Sequence, residues 1–381
     1  MTQYRIPFNK PPFLGHELGY VKDSIANAHI SGDGAYTRRC HAFLEEKLAI
    51  QKALLTTSCT HALEMCALLL DIQPGDEIIV PAFTFVSSVN AFVLRGGAPV
   101  FADIRPDTLN LDERVLPQLI TKKTRAIVLV HYAGLACEMD AIMSIAREHN
   151  IAVVEDNAHG LFARYKGKYL GTFGELATLS FHETKNFTCG EGGALLVNDD
   201  SLVDRAEIIR EKGTNRSHFF RGQVDKYTWV DVGSSYLPSD MLAAYLYAQF
   251  ESAAEIQARR QEIWNRYHVD LAEWAAANRV QAPTVPDHVE QSYHLYYLLM
   301  PSLPDRTALI QHLKDCGILS VFHYQPLHLS NMGLRFGGRR GDCPVTEDIA
   351  DRLLRLPFYY SLTPEDQERV IAALQAFTDW Q

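Results

Sequence analysis

Long apolar runs are missing from this 381-residue sequence. None reaches the ~20 residues that a membrane-spanning helix requires. The opening stretch, MTQYRIPFNKPPF, has no apolar centre of the kind a secretion signal carries. Both absences point to a chain that stays in the cytoplasm, with no membrane as partner. Paired cysteines are missing too. Seven are scattered at positions 40, 59, 66, 137, 189, 316 and 343, and no two have C-x-x-C spacing. That excludes a zinc ribbon and a thioredoxin site, and no metal is expected. An odd count without a secretion signal fits reduced thiols. Positive charge is in short supply: Lys and Arg number 36 against 46 Asp and Glu, a formal charge of -10. Nucleic acid is therefore excluded as the main partner, since a phosphate backbone needs a basic face. A small anionic substrate needs only a local pocket. There is no G-x-x-x-x-G-K-[ST] run, so no P-loop, and neither internal repeat nor low-complexity tract.

What is present is ordinary globular composition, with 47% hydrophobic, 10% aromatic and 22% charged residues. At ~150 residues per domain the length suggests two domains, or one large domain with an appendage. Residues 1–35, rich in Pro and Gly, read as an irregular arm. Thr37 to Leu70 reads as helical, interrupted at Ser58-Cys59-Thr60, where a Ser/Thr cluster suits a helix N-cap. Apolar strands then alternate with helices. Strands are expected at Glu77–Val80, Pro99–Ala102, Thr124–Val130, Ile151–Glu155, Ala177–Phe181 and Gly193–Val197, and helices at Val86–Leu94 and Ala141–His149. That order predicts an α/β domain with a mainly parallel sheet covered on both faces, over residues 1–249 with the arm. One or two helices over 240–278 lead into a smaller α+β domain, 250–381. There, strands are expected at Tyr293–Leu299 and Leu319–Phe322, with a helix at Thr307–Cys316 between them.

Four clusters carry chemistry. Val153-Val154-Glu155-Asp156-Asn157-Ala158-His159 ends an apolar strand in an acid, and ligands of parallel α/β sheets gather at such strand ends. Asp156 there suits a pyridine nitrogen; a loop carboxylate or helix cap would look the same. Ser180-Phe181-His182-Glu183-Thr184-Lys185-Asn186 delivers a lysine into a turn before Gly190-Glu191-Gly192-Gly193. Lys185 could be a phosphate clamp or a Schiff-base nucleophile. Thr56–Ala62 opens a helix, whose free N–H groups suit a phosphate or merely an N-cap. In Pro81-Ala82-Phe83-Thr84-Phe85-Val86 an aromatic follows a strand, fit for stacking on a flat ring or for core packing. Together they supply phosphate cup, ring face, pyridinium partner and amine, the protein's share of pyridoxal-phosphate chemistry.

On these stretches, and on GDEIIVPAFTFVSSVNAFVLRGGAPVFADI, HYAGLACEMDAI, YKGKYLGTFGELATLSFHETKNFTCGEGGALLVND and LLRLPFYYSLT, the chain resembles the DegT/StrS-type sugar aminotransferases. The resemblance covers nearly the whole chain. It implies the aspartate-aminotransferase (type I) fold, pyridoxal 5'-phosphate as cofactor, and a homodimer with shared sites. Lys185 would be the Schiff-base lysine, Asp156 the partner of the pyridine nitrogen, and Phe85 the stacking ring. His159 would lie beside the ring hydroxyl, where relatives often have Gln. Ser180 and the Ser58-Cys59-Thr60 turn, through the amides of Cys59 and Thr60, would hold the phosphate. Two positions depart from the family pattern. Cys59 stands where Gly is usual, and Ser235 stands where many relatives place an Asn that reaches the partner's phosphate.

REKGTNRSHFFRGQVDKYTWVDVGSSYLPSD (Arg210–Asp240), GDGAYTRRC and FHYQPLH are similar to the dTDP-4-oxo-6-deoxyglucose transaminase branch of enterobacterial common antigen biosynthesis. The resemblance implies a nucleotide keto sugar and L-glutamate as substrates and dTDP-4-amino-4,6-dideoxygalactose as product. His182, His323 and His328 are candidates for the sugar side, or loop histidines with structural hydrogen bonds. Arg216 and Arg221 are candidates for the diphosphate, since Arg forks suit phosphate oxygens, or solvated surface groups. Dehydratases of the same fold replace the lysine with His, so intact Lys185 argues against that activity. Lys185, Asp156 and the phosphate loop together argue against a cofactor-holding regulator.

Overall fold

The computed structural model describes residues 4–380. Its centre is a seven-stranded sheet: β1 (Lys52–Thr56), β2 (Glu77–Pro81), β3 (Ala98–Ala102), β4 (Thr124–Val130), β5 (Ala152–Asp156), β6 (Leu176–Ser180) and β7 (Gly193–Val197). The spatial order is β1-β7-β6-β5-β4-β2-β3. Strands β3, β2, β4, β5 and β6 run parallel, and β7 lies antiparallel between β6 and β1. The parallel strands are apolar on both faces, as in TRAIVLV, where only Arg125 is exposed. Helices cover both sides, as such strands demand. Cys59–Leu69 and Ser87–Val93 bury Leu63, Met65 and Phe92 against one face. Met139–His149 buries Met139 and Ile142 on the other.

Beyond helix Asp240–Glu251, the long helix Ala253–Asp270 leads to a second layer. Its core gathers Trp264, Tyr267, Leu298, Leu309, Leu354 and Val370. A two-stranded antiparallel pair, Tyr297–Leu299 with Leu353–Arg355, is flanked by helices Leu303–Asp315, Pro344–Arg352 and Pro364–Gln375. The arm contributes Ile6 to this core and pairs with Ile318.

Four local expectations are corrected. The continuous helical reading of 37–70 misses β1, which separates helix Ala35–Leu48 from Cys59–Leu69. Ala and Leu in KALLT favour helix, and pairing with β7 overrides them. The arm is not wholly irregular, because Glu17–Ala26 is a helix packed on Asp240–Glu251. No strand forms at 319–322 beyond a single bridge from Val321 to Arg355, and the strand expected from Tyr293 starts only at Tyr297. Tyr293 sits at φ 53°, outside the extended region.

Candidate active site

The carboxyl ends of the parallel strands open onto a cavity of about 490 Å³. The register places its donors in rows. Thr56 pairs with Gly193, and Gly193 with Ser180; Val130 pairs with Asp156, and Asp156 with Thr178. Ser58, Cys59, Thr60, Phe85, Asp156, His159, Ser180, His182, Lys185 and His323 all line this space. Residues as far apart in sequence as Ser58 and His323 are thus gathered by the topology.

Ser58 caps the helix Cys59–Leu69 by accepting from His61 N at 3.1 Å. The amides of Cys59 and Thr60 lie in the first turn and have no acceptor within their helix. The approach of β7 to this turn is close. A Cβ on Gly193 would lie 2.4 Å from Cys59 N and 2.4 Å from Ser58 C. Thr60 Oγ1 meets Ser87 Oγ at 2.9 Å, and the Cys59 thiol faces Thr178 Oγ1 at 3.5 Å. Burial pushes that thiol well up, so it is neutral and leaves the turn free of negative charge.

Asp156 ends β5 and is buried. Its Oδ2 accepts from Ser88 Oγ at 2.7 Å and its Oδ1 from Ala158 N at 3.2 Å. Burial raises its pKa, while Ser88 and the Ala158 amide oppose that rise. Its neighbour Glu155 points to the other side and braces the strand end. It accepts from Phe173 N at 2.7 Å, Gly171 N at 2.8 Å and Gly174 N at 2.9 Å, and meets His131 Nε2 at 2.9 Å. Burial alone would raise Glu155, but His131 and the amides outweigh it and hold it below the usual carboxylate range.

Lys185 lies in the connection between β6 and β7. That loop is tied by Phe181 N to Gly192 O at 2.8 Å and by Lys185 N to His182 O at 2.9 Å. The next residue, Asn186, donates to Ser292 O at 2.7 Å and accepts from His294 Nδ1 at 2.9 Å, locking the loop to the second layer. Burial lowers the Lys185 ammonium from its ordinary 10.5 to about 8, against the opposing pull of Cys59 and Asp156. An amine so poised is a nucleophile near neutral pH.

The His159 ring stacks on His294 at 4.1 Å between centroids, and its Nδ1 is buried without a partner. Burial, helped by Lys185 and Arg355, holds His159 neutral. His323 Nδ1 meets Tyr132 OH at 3.0 Å. Phe85, 57% exposed, stands at the mouth with its ring 6.3 Å from that of Tyr324. An anion-binding helix turn, a buried acid, a low-pKa amine and an orphaned imidazole nitrogen suit a phosphorylated pyridine aldehyde. The donor set fits the expected cofactor.

Four expected site residues lie elsewhere in the chain. His328 is buried against Phe101 and bonds Glu347 Oε1 through Nε2 at 3.0 Å, so its ring is committed to a structural pair. Arg216 and Arg221 are half-exposed and paired to Glu211 at 3.3 Å and Glu207 at 2.6 Å. Ser235 is exposed, bridged to Glu211, with Tyr236 O accepting from Thr57 N at 2.9 Å. None of the four lines the cavity of its own chain. Ser88, His294, Tyr324 and Arg355 were not expected, yet Ser88 orders Asp156 and the other three line the cavity. Ser88 and His294 carry no motif. The signal for Arg355 was a charged residue closing the apolar run Leu353-Leu354.

Comparison with known proteins agrees with this geometry. GDP-perosamine synthase of Escherichia coli O157:H7 is 32% identical over 373 residues, covering 98% of both chains. The solved PLP form of Spr1654 from Streptococcus pneumoniae, a candidate sugar aminotransferase, superposes with TM-score 0.89 at 28% identity, covering 98% of both chains. PseC of Helicobacter pylori, an aminotransferase of pseudoaminic acid biosynthesis, gives 0.88 at 25% identity, covering 97% of this chain and 98% of its own. Residues 15–375 match the DegT/DnrJ/EryC1/StrS aminotransferase family. With its aspartate-aminotransferase-like fold, this chain belongs to that family and is a pyridoxal-phosphate-dependent sugar aminotransferase.

Proposed function

We propose that the enzyme moves the amino group of L-glutamate onto C4 of dTDP-4-oxo-6-deoxy-D-glucose, giving dTDP-4-amino-4,6-dideoxy-D-galactose and 2-oxoglutarate. The observation that carries the reaction type is the lowered amine of Lys185 in one cavity with the buried Asp156 carboxylate. The choice of sugar rests on the Arg210–Asp240 stretch. When bound, pyridoxal phosphate supplies an electron sink conjugated to the reacting carbon. Lys185 holds the cofactor between turnovers. Its amine would take the proton from the donor's α-carbon and, with the keto sugar, would return a proton to the carbon that receives the nitrogen. One lysine thus serves as base and acid. Asp156 keeps the ring nitrogen protonated, and Ser88 keeps Asp156 oriented. The Cys59 and Thr60 amides with Ser58 and Ser180 bind the phosphate, Phe85 covers a ring face, and His159 stands by the ring hydroxyl. His182 and His323 face the sugar.

The active unit in this reading is a homodimer with shared sites. Phe220, Tyr227 and Trp229, close in sequence, are 70%, 51% and 77% exposed, and such exposed aromatics suit burial against a second copy. Ser235, on the same segment, then serves the partner's phosphate, and Arg216 and Arg221 its substrate. A panel of keto sugars (dTDP-, UDP- and GDP-linked, 3-oxo and 4-oxo) incubated with glutamate and read by mass spectrometry tests the assignment. A 4-amino sugar from the dTDP-4-oxo substrate is expected. Exclusive conversion of a 3-oxo, UDP or GDP sugar would replace the substrate and leave the reaction class.

A further inference from the structure

A second cavity, of about 600 Å³, lies where the long helix Ala253–Asp270 meets the segment 283–293. It shares no lining residue with the cofactor cavity. The helix offers it Gln261, Trp264, Asn265 and His268, which share one face by their i, i+3, i+4, i+7 spacing. The facing segment adds Gln291 and Tyr293. Gln291 is 9% exposed, yet among the described residues its side-chain amide has no partner. Glutamines buried elsewhere are bonded: Gln367 donates to Ile263 O at 2.7 Å, and Gln249 to Glu17 Oε1 at 2.6 Å. Buried amides are normally satisfied, so one left open onto a cavity points to a ligand.

The lining says which kind. Among the described residues that line it, Glu290 carries the sole formal charge, and Arg164 stands 3.8 Å from that carboxylate. Burial lowers the His268 pKa, so its ring is neutral. With no Lys or Arg in the wall, anions are disfavoured, which sets aside carboxylates, phosphates and nucleotide sugars. Three amides, on Gln261, Asn265 and Gln291, each offer both donors and an acceptor. Trp264 and Tyr293, edge to face at 6.1 Å, supply an apolar wall. An uncharged sugar ring matches this set, with hydroxyls that donate and accept around a C–H face.

The cavity backs onto the active site through four consecutive residues. Gln291 and Tyr293 line the second cavity, and His294 lines the cofactor cavity. Between them, Ser292 Oγ donates to His159 O, and Ser292 O accepts from Asn186, next to Lys185, at 2.7 Å. Tyr293 holds φ 53°, and Arg260 fixes its carbonyl at 2.9 Å. A ligand that engages Gln291 and Tyr293 therefore bears on His294, on its stacking partner His159 and on the lysine loop. We propose that this cavity is a regulatory site for an uncharged sugar ring, and that its occupancy is felt at the cofactor through residues 291–294.

The test uses the holoenzyme. D-Glucose, D-galactose, L-fucose and N-acetyl-D-glucosamine are titrated in by calorimetry, with glucose 6-phosphate as the anionic control. At least one neutral sugar is expected to bind with a Kd of order millimolar, as suits so small a ligand, and the phosphate at least about tenfold more weakly. Asn265, exposed on the helix and remote from the cofactor, is replaced in Asn265→Leu, which is expected to keep basal transamination and to weaken the sugar about tenfold, the worth of a lost amide bond. Asn265→Asp serves if that variant does not fold. In the wild type, saturating sugar is expected to shift the half-saturating glutamate concentration by about fivefold, and in Asn265→Leu the same dose is not. No binding up to about 50 mM, well above a millimolar Kd, overturns the proposal. So does binding that is equal in Asn265→Leu, which would place the sugar in the cofactor cavity, tighter binding of the phosphate, or binding that leaves glutamate saturation unmoved.

Discussion

Replacing Asp156 removes the charge that holds the ring nitrogen protonated. The carboxylate is 5% exposed and has two donors of its own, Ser88 Oγ at 2.7 Å and Ala158 N at 3.2 Å. Its charge is therefore little screened by water, and a ring cation opposite it would be left uncompensated in Asp156→Ala. Breaking a buried pair from one side costs about 3–5 kcal/mol. Expressed in the proton-transfer step, that is roughly two to four powers of ten in turnover. Asp156→Asn keeps the shape and the Ser88 contact but not the charge, and falls in the same range. Asp156→Glu keeps the charge and adds one methylene to a packed site, a strain of about 1–3 kcal/mol, so its loss is the smaller. The assay is steady-state formation of 2-oxoglutarate at saturating glutamate, with circular dichroism as the folding control. A folded Asp156→Ala enzyme turning over near the wild-type rate would refute the pyridinium assignment.

Other expectations concern the cofactor's anchors. In cofactor-free protein the rate of pyridoxal-phosphate capture rises with pH as Lys185 loses its proton near 8 rather than 10.5. The neutral amine at pH 7 is then roughly 300-fold more abundant than for an ordinary lysine; a capture profile still climbing at pH 10 contradicts this. Lys185→Ala abolishes both the visible band of the bound cofactor and multiple turnover, measured by absorbance and product assay. Gly193→Ala forces a methyl to within 2.4 Å of the Ser58–Cys59 peptide. Retention of cofactor during gel filtration should drop while the Gly192 neighbour's loop stays folded by circular dichroism; full retention denies the close approach a role in the cup. Mixing inactive Lys185→Ala chains with inactive chains carrying Glu at Ser235 (Ser235→Glu) puts both lesions in one site of a mixed dimer and leaves the other intact. About half of its sites then recover, and no recovery despite proven subunit exchange means that each site is built from one chain.

The sheet was legible where composition left no choice. TRAIVLV, AVVED and GALLV are largely buried, and Asp156 at the end of the second and Gly193 at the start of the third mark the ligand edge. β1 was not legible, because KALLT is a good helical sequence and becomes a strand only through β7, far along the chain. The residues proposed for the cofactor side could be picked out because Asp156 ends a strand, Ser58–Thr60 starts a helix and Lys185 lies in the loop that follows β6, and all of them line one cavity. Ser88 hid inside a helix; its role exists only through the approach of that helix to β5. His294 and Arg355 arrive from the second layer, whose placement no local pattern encodes. His328 looked like a ligand-seeking side chain because its acidic partner, Glu347, is not marked as such by spacing alone.

The antiparallel seat of β7 has a consequence for biogenesis. Among the described residues the edge strand β1 pairs only with β7, from Lys52 against Val197 to Thr56 against Gly193. At roughly 5–20 residues per second of synthesis, the partner leaves the ribosome about 7–30 s after β1. For that interval Ala53, Leu54 and Leu55, all buried in the finished sheet, are an unpaired apolar segment. An unpaired strand is a template for pairing with other chains, and such long-range closure slows folding. The nascent chain therefore carries this aggregation hazard early, and slowed translation between residues 56 and 193 would lengthen the exposure.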